Sequence, residues 1–262
     1  MKDKTTMLFG VPRKTKWIFL LFLVIVFTQT LALAGPPFRT DDPEPVEYKH
    51  WEFYTFSQGT HVKGDTAGTL PGFEINYGAL PETQLHVIAP FAFDKETGSD
   101  TQSGYGDTEL GIKYRFVKEN EQGWQPQIGI FPMLELSTGN SDKGLGTGHN
   151  REFLPLWLQK SYGPWTTYGG GGYWINPGEG NKDYWFFGWT VMRKITDKLN
   201  LGGEIFYQTA DIAGGVASTG FNLGGTYDFT ESHHLLFSVG RGIQNVTTTN
   251  EFSYYIGYQL TF

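Results

Sequence analysis

From Tyr48 onward the chain alternates between apolar and polar residues at every second position. The final stretch, EFSYYIGYQLTF (Glu251–Phe262), shows this most fully. Phe252, Tyr254, Ile256, Tyr258, Leu260 and Phe262 fall on one parity, and Ser253, Tyr255, Gly257, Gln259 and Thr261 on the other. Successive side chains of a strand point to opposite faces, so one face here is wholly apolar or aromatic. A soluble sandwich could bury such a face against a second sheet. The aromatic ends and the absence of any charge fit lipid at least as well, because a Lys or Arg at mid-membrane costs about 2–4 kcal/mol.

The same period predicts strands near 48–57, 70–79, 84–94, 107–118, 125–137, 152–160, 165–176, 183–194, 199–209, 219–229, 233–243 and 251–262. That is about 12, each close to the roughly 9–11 residues that a tilted strand needs to cross a bilayer. Leu110, Ile112, Tyr114 and Phe116 alternate with Glu109, Gly111, Lys113 and Arg115, so every charge sits on one face. Phe221, Leu223, Tyr227 and Phe229 alternate with Asn222, Gly224, Thr226 and Asp228. Leu80–Thr83, Lys118–Gly123, Ser161–Pro164, Thr196–Lys198 and Thr230–Ser232 read as short turns. Their counterparts Gln58–Thr69, Lys95–Gly106, Thr138–Arg151, Pro177–Lys182, Ala210–Ser218 and Gln244–Asn250 read as longer polar loops. Short turns facing the periplasm and longer loops outside are the outer-membrane arrangement. The expected fold is all-β, a transmembrane antiparallel β-barrel of about 12 strands over residues 48–262.

Residues 1–34 read as a signal peptide: Lys2, Lys4, Arg13, Lys14 and Lys16 lead the apolar run Trp17–Phe27, and Ala32-Leu33-Ala34 offers a small-x-small cleavage site. An uncleaved anchor would need about 20 apolar residues, and Thr28, Gln29 and Thr30 interrupt the run too early. Residues 35–47, GPPFRTDDPEPVE, read as a Pro-rich acidic periplasmic leader. Pro36, Pro37, Pro43 and Pro45 favour extended chain without a full set of backbone donors. Asp41, Asp42 and Glu44 could hold a cation, but carboxylates in such a leader are expected to be solvated.

Composition removes several function classes. The chain has no cysteine, so disulfides, thiol catalysis and Cys-based metal sites are excluded. A net charge of -7 without a basic patch argues against nucleic acid as a partner. Glycine at 35 residues beside 21 Phe, 14 Tyr and 8 Trp suits a crowded lumen with aromatic girdles. In the strand over 165–176, Gly169–Gly172 strip side chains from both faces and admit a bulky neighbour such as Trp157 or Trp174.

Enzymatic readings find little support. Ser232 and His234 could share a face, yet they lie in a turn with only Glu231 as an orienting acid. Adjacent His233 and His234 point to opposite faces of a strand, which disfavours a two-His metal site. No catalytic residue, metal ligand or cofactor is assigned.

If the apolar sets face lipid, Glu52, Glu74, Glu109, Lys113, Arg115, Glu135 and Glu204 project into the lumen. They could form a structural network or an acidic, cation-tolerant constriction. The network is preferred, because Lys113 and Arg115 neutralise part of the glutamate set. On the same inward parity lie Tyr54, Phe56, Phe131, Met133, Tyr168, Trp174, Tyr184, Phe186, Phe206 and Tyr255. They could line a path for an apolar solute or belong to the interfacial girdles.

The residues GPPFRTDDPEPVEYKHWEFY (Gly35–Tyr54), GYGDTELGIKYRF (Gly104–Phe116), FLPLWLQKSYGPWTTYGGGGYWINPG (Phe153–Gly178) and the terminal strand with its final Phe together carry a family likeness. Over nearly the whole mature chain, they resemble the meta-pathway of phenol degradation family of outer-membrane β-barrel proteins. The resemblance implies a bacterial outer-membrane channel or transporter for small solutes, hydrophobic or aromatic ones among them. It does not imply phenol chemistry. A lipid-modifying or hydrolytic barrel enzyme, or a structural barrel without transport, is the alternative. The implied partners are the bilayer and lipopolysaccharide, the barrel-assembly machinery through the C-terminal strand, and the solute itself.

Overall fold

A computed structural model describes residues 37–120 and 122–262. The signal segment expected over 1–34 lies outside the described residues. The strands run β1 (Trp51–Val62), β2 (Asp65–Leu80), β3 (Thr83–Glu96), β4 in two pieces (Gln102–Tyr105 and Thr108–Val117) and β5 in two pieces (Gln127–Ile130 and Met133–Leu136). They continue with β6 (Arg151–Tyr162), β7 (Trp165–Ile175), β8 (Tyr184–Lys194), β9 (Leu199–Gln208), β10 (Ser218–Asp228), β11 (His233–Gln244) and β12 (Phe252–Thr261). Both pieces of β4 pair with β3, and both pieces of β5 pair with β4 on one side and β6 on the other, so each counts as one wall strand. Every neighbour is antiparallel, and β1 pairs with β12 to give a closed barrel of 12 strands.

Closure is what lets a sheet cross lipid, since an open edge would leave backbone groups with no partner. The seam extends past the last strand residue, with Trp51 N–H donating to the Phe262 carbonyl at 2.7 Å and Phe262 N–H to Trp51 at 3.0 Å. Deleting Phe262, or replacing it with Asp, removes these bonds or puts a charge at the seam. The heat-modifiable barrel band should fall markedly in either variant. Unchanged levels in membrane fractions would count against this role.

The outer face follows the alternation read from the sequence. Leu110, Ile112, Tyr114 and Phe116 on β4 point out, as do Leu223 on β10 and Ile256 on β12. Outward Gly169 and Gly171 on β7 lie beneath the rings of Trp189 and Phe187, where added side chains would collide. Inward Gly170 faces Trp157 and inward Gly172 faces Phe153.

One side of the wall is taller than the loop pattern suggests. The polar stretch 58–69, expected as a loop, is strand, and β1 and β2 meet at a tight turn over Lys63 and Gly64. β2 has 16 residues and β3 has 14, against 10 for β9 and β12, so this hairpin stands above its neighbours. Thr60, Thr66 and Thr69 serve as strand formers here, which a reading of polarity alone misses.

Candidate functional site

The lumen is built from the inward parity of the wall and from a segment expected elsewhere. Residues 37–46 do not run as a solvated periplasmic leader. Phe38, Thr40, Asp41, Pro43 and Val46 are buried inside the barrel. Glycines on the inner wall make the seat. A Cβ at Gly129 would meet Pro43, one at Gly188 would overlap Thr40, and one at Gly78 would strike the Glu47 carbonyl. The prolines that spare the segment backbone donors also suit it to a site where few acceptors exist.

Most of its polar groups find partners on the wall, which is why burial is tolerated. Glu204 on β9 accepts from the backbone N–H of Arg39 at 2.8 Å, and from Thr40 N–H at 2.8 Å and its hydroxyl at 2.6 Å. Ser238 on β11 donates to the Pro37 carbonyl, and Val46 N–H donates to Gln84 at 2.9 Å. Lys113 Nζ lies 2.9 Å from Asp41 and 3.6 Å from Asp42. Glu44 accepts from Gln127 and Gln159 and stands 3.6 Å from Arg115. The carboxylates expected to be solvated thus complement cations of β4.

The remaining lumen charges form local networks. His86 contacts Asn76 at 2.7 Å and Glu109 at 3.0 Å, while Asn76 donates to Glu74 at 2.8 Å. Arg151 donates two parallel bonds of 2.8 Å to Glu135, a bidentate geometry that fixes both side chains. Arg115 donates to Glu82 at 2.7 Å. Tyr54 donates to Glu52 at 2.7 Å and accepts from Gln259. Tyr168, on the same inward face, is buried.

The loop-side half of the lumen is aromatic. Phe131, Met133, Phe153, Trp157, Trp174, Tyr184, Phe186 and Phe206 form one buried cluster across β5 to β9. Phe153 stacks on Trp174 at 4.8 Å, and the Arg39 guanidinium of the leader lies 4.4 Å over Phe206 and 5.2 Å over Phe186. A smaller cluster of Tyr54, Phe56, Ile88 and Leu236, with Tyr255 packed beside it, sits on the seam side. At the rim, buried Leu145 reaches in from the β5–β6 loop towards Gly104 and Gly106. That loop is anchored by Asp107, which accepts from Gly139 and Thr147 N–H at 2.8 and 2.6 Å.

The outer wall carries a groove of about 680 Å³ where β5 is interrupted at Pro132. Lipid-facing Ile75, Leu85, Leu110, Ile112, Leu134 and Leu154 line it, and inward His86, Gly111 and Met133 lie at its floor. The wall is therefore thin here, and lipid and lumen side chains border the same space.

A family model described as the MetA-pathway of phenol degradation matches residues 52–260. The chain belongs to that family. No curated protein matches the sequence. Among solved structures, the chain is similar to the COG4313 outer membrane channel from Pseudomonas putida F1, with TM-score 0.68 and 17% identity over 84% of this chain and 98% of that one. It is also similar to the NanC porin (TM-score 0.57, 8% identity, 79% and 98% covered) and the KdgM porin (TM-score 0.55, 11% identity, 80% and 99% covered). At these identities the likeness is one of fold. A closed barrel with an apolar outer band needs hydrocarbon around it, and with outer-membrane channels and porins as its structural relatives the chain belongs in the bacterial outer membrane.

In this member of the phenol degradation family, the residues weighed for hydrolysis are dispersed. His234 pairs with Asp228 at 2.7 Å at the turn end of the barrel, and Ser232 uses its backbone N–H on Thr230. His233 faces the other way, to the Tyr258 hydroxyl. His50 is exposed. Among the described residues, no group of three His, Asp or Glu side chains is arranged to hold a metal ion.

Lys113→Met is expected to strand Asp41 as a buried, unpaired carboxylate, at a cost of about 3–5 kcal/mol. The leader should then become cleavable by added protease in the folded barrel. Lys113→Met with Asp41→Asn should restore most of the protection. Equal protection in the single variant and the wild type would show that this pair does not hold the leader.

Proposed function

We propose that the chain is an outer-membrane channel for small hydrophobic or aromatic solutes, without catalysis. The observation that carries this reading is the buried aromatic cluster across β5 to β9, a surface that an aqueous sugar or ion path does not need. Two further features agree with it. The leader runs through the lumen from Gln84 and Gln127 near the turn end up to the aromatic cluster, leaving little room for a wide water column. The groove at Pro132 gives an apolar molecule a place against the wall. The charged networks are then structural, holding the leader and filling space. The structural relatives, an outer membrane channel and two porins, agree with a passage role. The C-terminal strand would serve as the recognition element for the barrel-assembly machinery, and lipopolysaccharide would surround the outer half of the wall.

The test uses cells whose outer membrane is intact, because apolar probes cross simple vesicles unaided. Expression of the barrel should speed entry of N-phenylnaphthylamine, seen as faster fluorescence rise. Proteoliposomes holding the same protein should swell little in arabinose. Probe entry no faster than in cells without the barrel would overturn the reading. Swelling at porin rates would replace it with a hydrophilic pore.

A further inference from the structure

The aromatic cluster holds an imbalance of hydrogen-bonding groups. The indole Nε1 atoms of Trp157 and Trp174 are buried with no partner, and so is Nε of Arg39, whose guanidinium covers Phe186 and Phe206. All three are donors. Two nearby carboxylates are already committed, both oxygens of Glu135 to Arg151 and Glu204 to the leader backbone and Thr40, and the unpartnered Oε2 of Glu109, across from Glu135, bonds neither indole. The two indoles flank one ring, Phe153, which stacks on Trp174 at 4.8 Å and meets Trp157 edge-on at 6.3 Å. A buried donor without an acceptor is unfavourable, and native cores rarely keep several together.

We propose that this half of the lumen recognises small, neutral, apolar solutes bearing a hydrogen-bond-accepting oxygen, read by the indole N–H groups of Trp157 and Trp174. This inference rests on the channel reading above and narrows its solute class. The aromatic rings take the hydrocarbon body by stacking and edge contacts. The donors distinguish a carbonyl, ether or phenol oxygen from a plain hydrocarbon, which leaves them unmet. Neutrality follows from the charge balance. Arg151 is matched by Glu135, and the Arg39 guanidinium, bonded to the neutral Gln208 at 3.0 Å, feels the opposite charges of Glu204 and Asp211. A carboxylate entering here finds no uncompensated cation to offset its desolvation.

The experiment uses the full mature barrel in micelles, with ¹⁵N-labelled indoles and three probes of matched size: acetophenone, ethylbenzene and benzoate. Trp157→Phe and Trp174→Phe assign the two resonances and keep an aromatic ring at each site. Acetophenone should shift both indole N–H signals downfield, and ethylbenzene should not. After correction for micelle partition, acetophenone should bind roughly tenfold more tightly than ethylbenzene. That ratio should fall towards one in the double variant, and benzoate should bind more weakly than acetophenone. Should the double variant fail to fold, the wild-type resonances decide. Indole signals unmoved at saturating acetophenone, or a ratio unchanged in a folded double variant, would overturn the inference. Tighter binding of benzoate would overturn its neutral character. Equal binding of acetophenone and ethylbenzene removes the oxygen requirement while the channel reading stands. Binding of neither probe removes both.

Discussion

Ile112→Arg is expected to leave most of the protein unfolded in lipid vesicles, with Leu223→Arg behaving alike. Both side chains lie on the outer wall, 51% and 58% exposed, where the surrounding medium is hydrocarbon. Ile112 pairs across to Leu85 and is flanked on its own face by Leu110 and Tyr114, so an added guanidinium meets no carboxylate. The loss of about 2–4 kcal/mol corresponds to roughly a 30- to 1000-fold smaller folding constant. Gln259→Arg is the control. Gln259 is inward and bonded to Tyr54, which is itself bonded to Glu52, so a cation there has a partner and should fold. Heat-modifiable mobility and tryptophan fluorescence in vesicles report the outcome. Equal losses for inward and outward positions would reverse the face assignment of the whole wall.

Removing the leader should have the largest effect on conduction. With residues 37–46 deleted, Lys113, Arg115 and Glu204 lose their leader partners and the space refills with water. Single-channel conductance in planar bilayers should rise severalfold. Gly188→Val should act in the same direction without shortening the chain, because its side chain would occupy the place of Thr40. Conductance equal to wild type in both variants would mean that the leader does not limit passage.

The wall was legible because its grammar has a period of two and lipid punishes each exception. On β4, every charge falls on one parity, so Ile112 and Lys113 declare their sides without further information. The inner face was read less well where both parities are apolar. On β6, Phe153 and Trp157 alternate with Leu154, Leu156 and Leu158, and hydropathy does not distinguish an inward indole from an outward leucine. Arg151, the partner of Glu135, sat at what looked like a loop end.

Gly111 shows the same blind spot. The sequence suggests a polar lumen position that would take an arginine, yet the space beside it is filled by Phe131, His86 and Met133. The leader was misplaced for a different reason. Its prolines and acids have the composition of a solvated tether, and only long-range pairs such as Asp41 with Lys113 make burial favourable. Composition reports the cost of burying a charge but not whether a counter-charge waits inside.

The leader enters β1 through a turn in which His50 N–H donates to the Glu47 carbonyl. β1 is also one half of the seam, so the segment is delivered to the lumen at the place where the sheet closes on itself. Its partners stand on β3, β4, β5, β6, β9 and β11. Before β12 meets β1, the sheet is an open trough, and a segment lying along it touches only those strands already curled towards it. Because one short segment bonds Glu204, Ser238 and Lys113, its full set of contacts exists only in a sheet curved enough to bring those strands round to face one another.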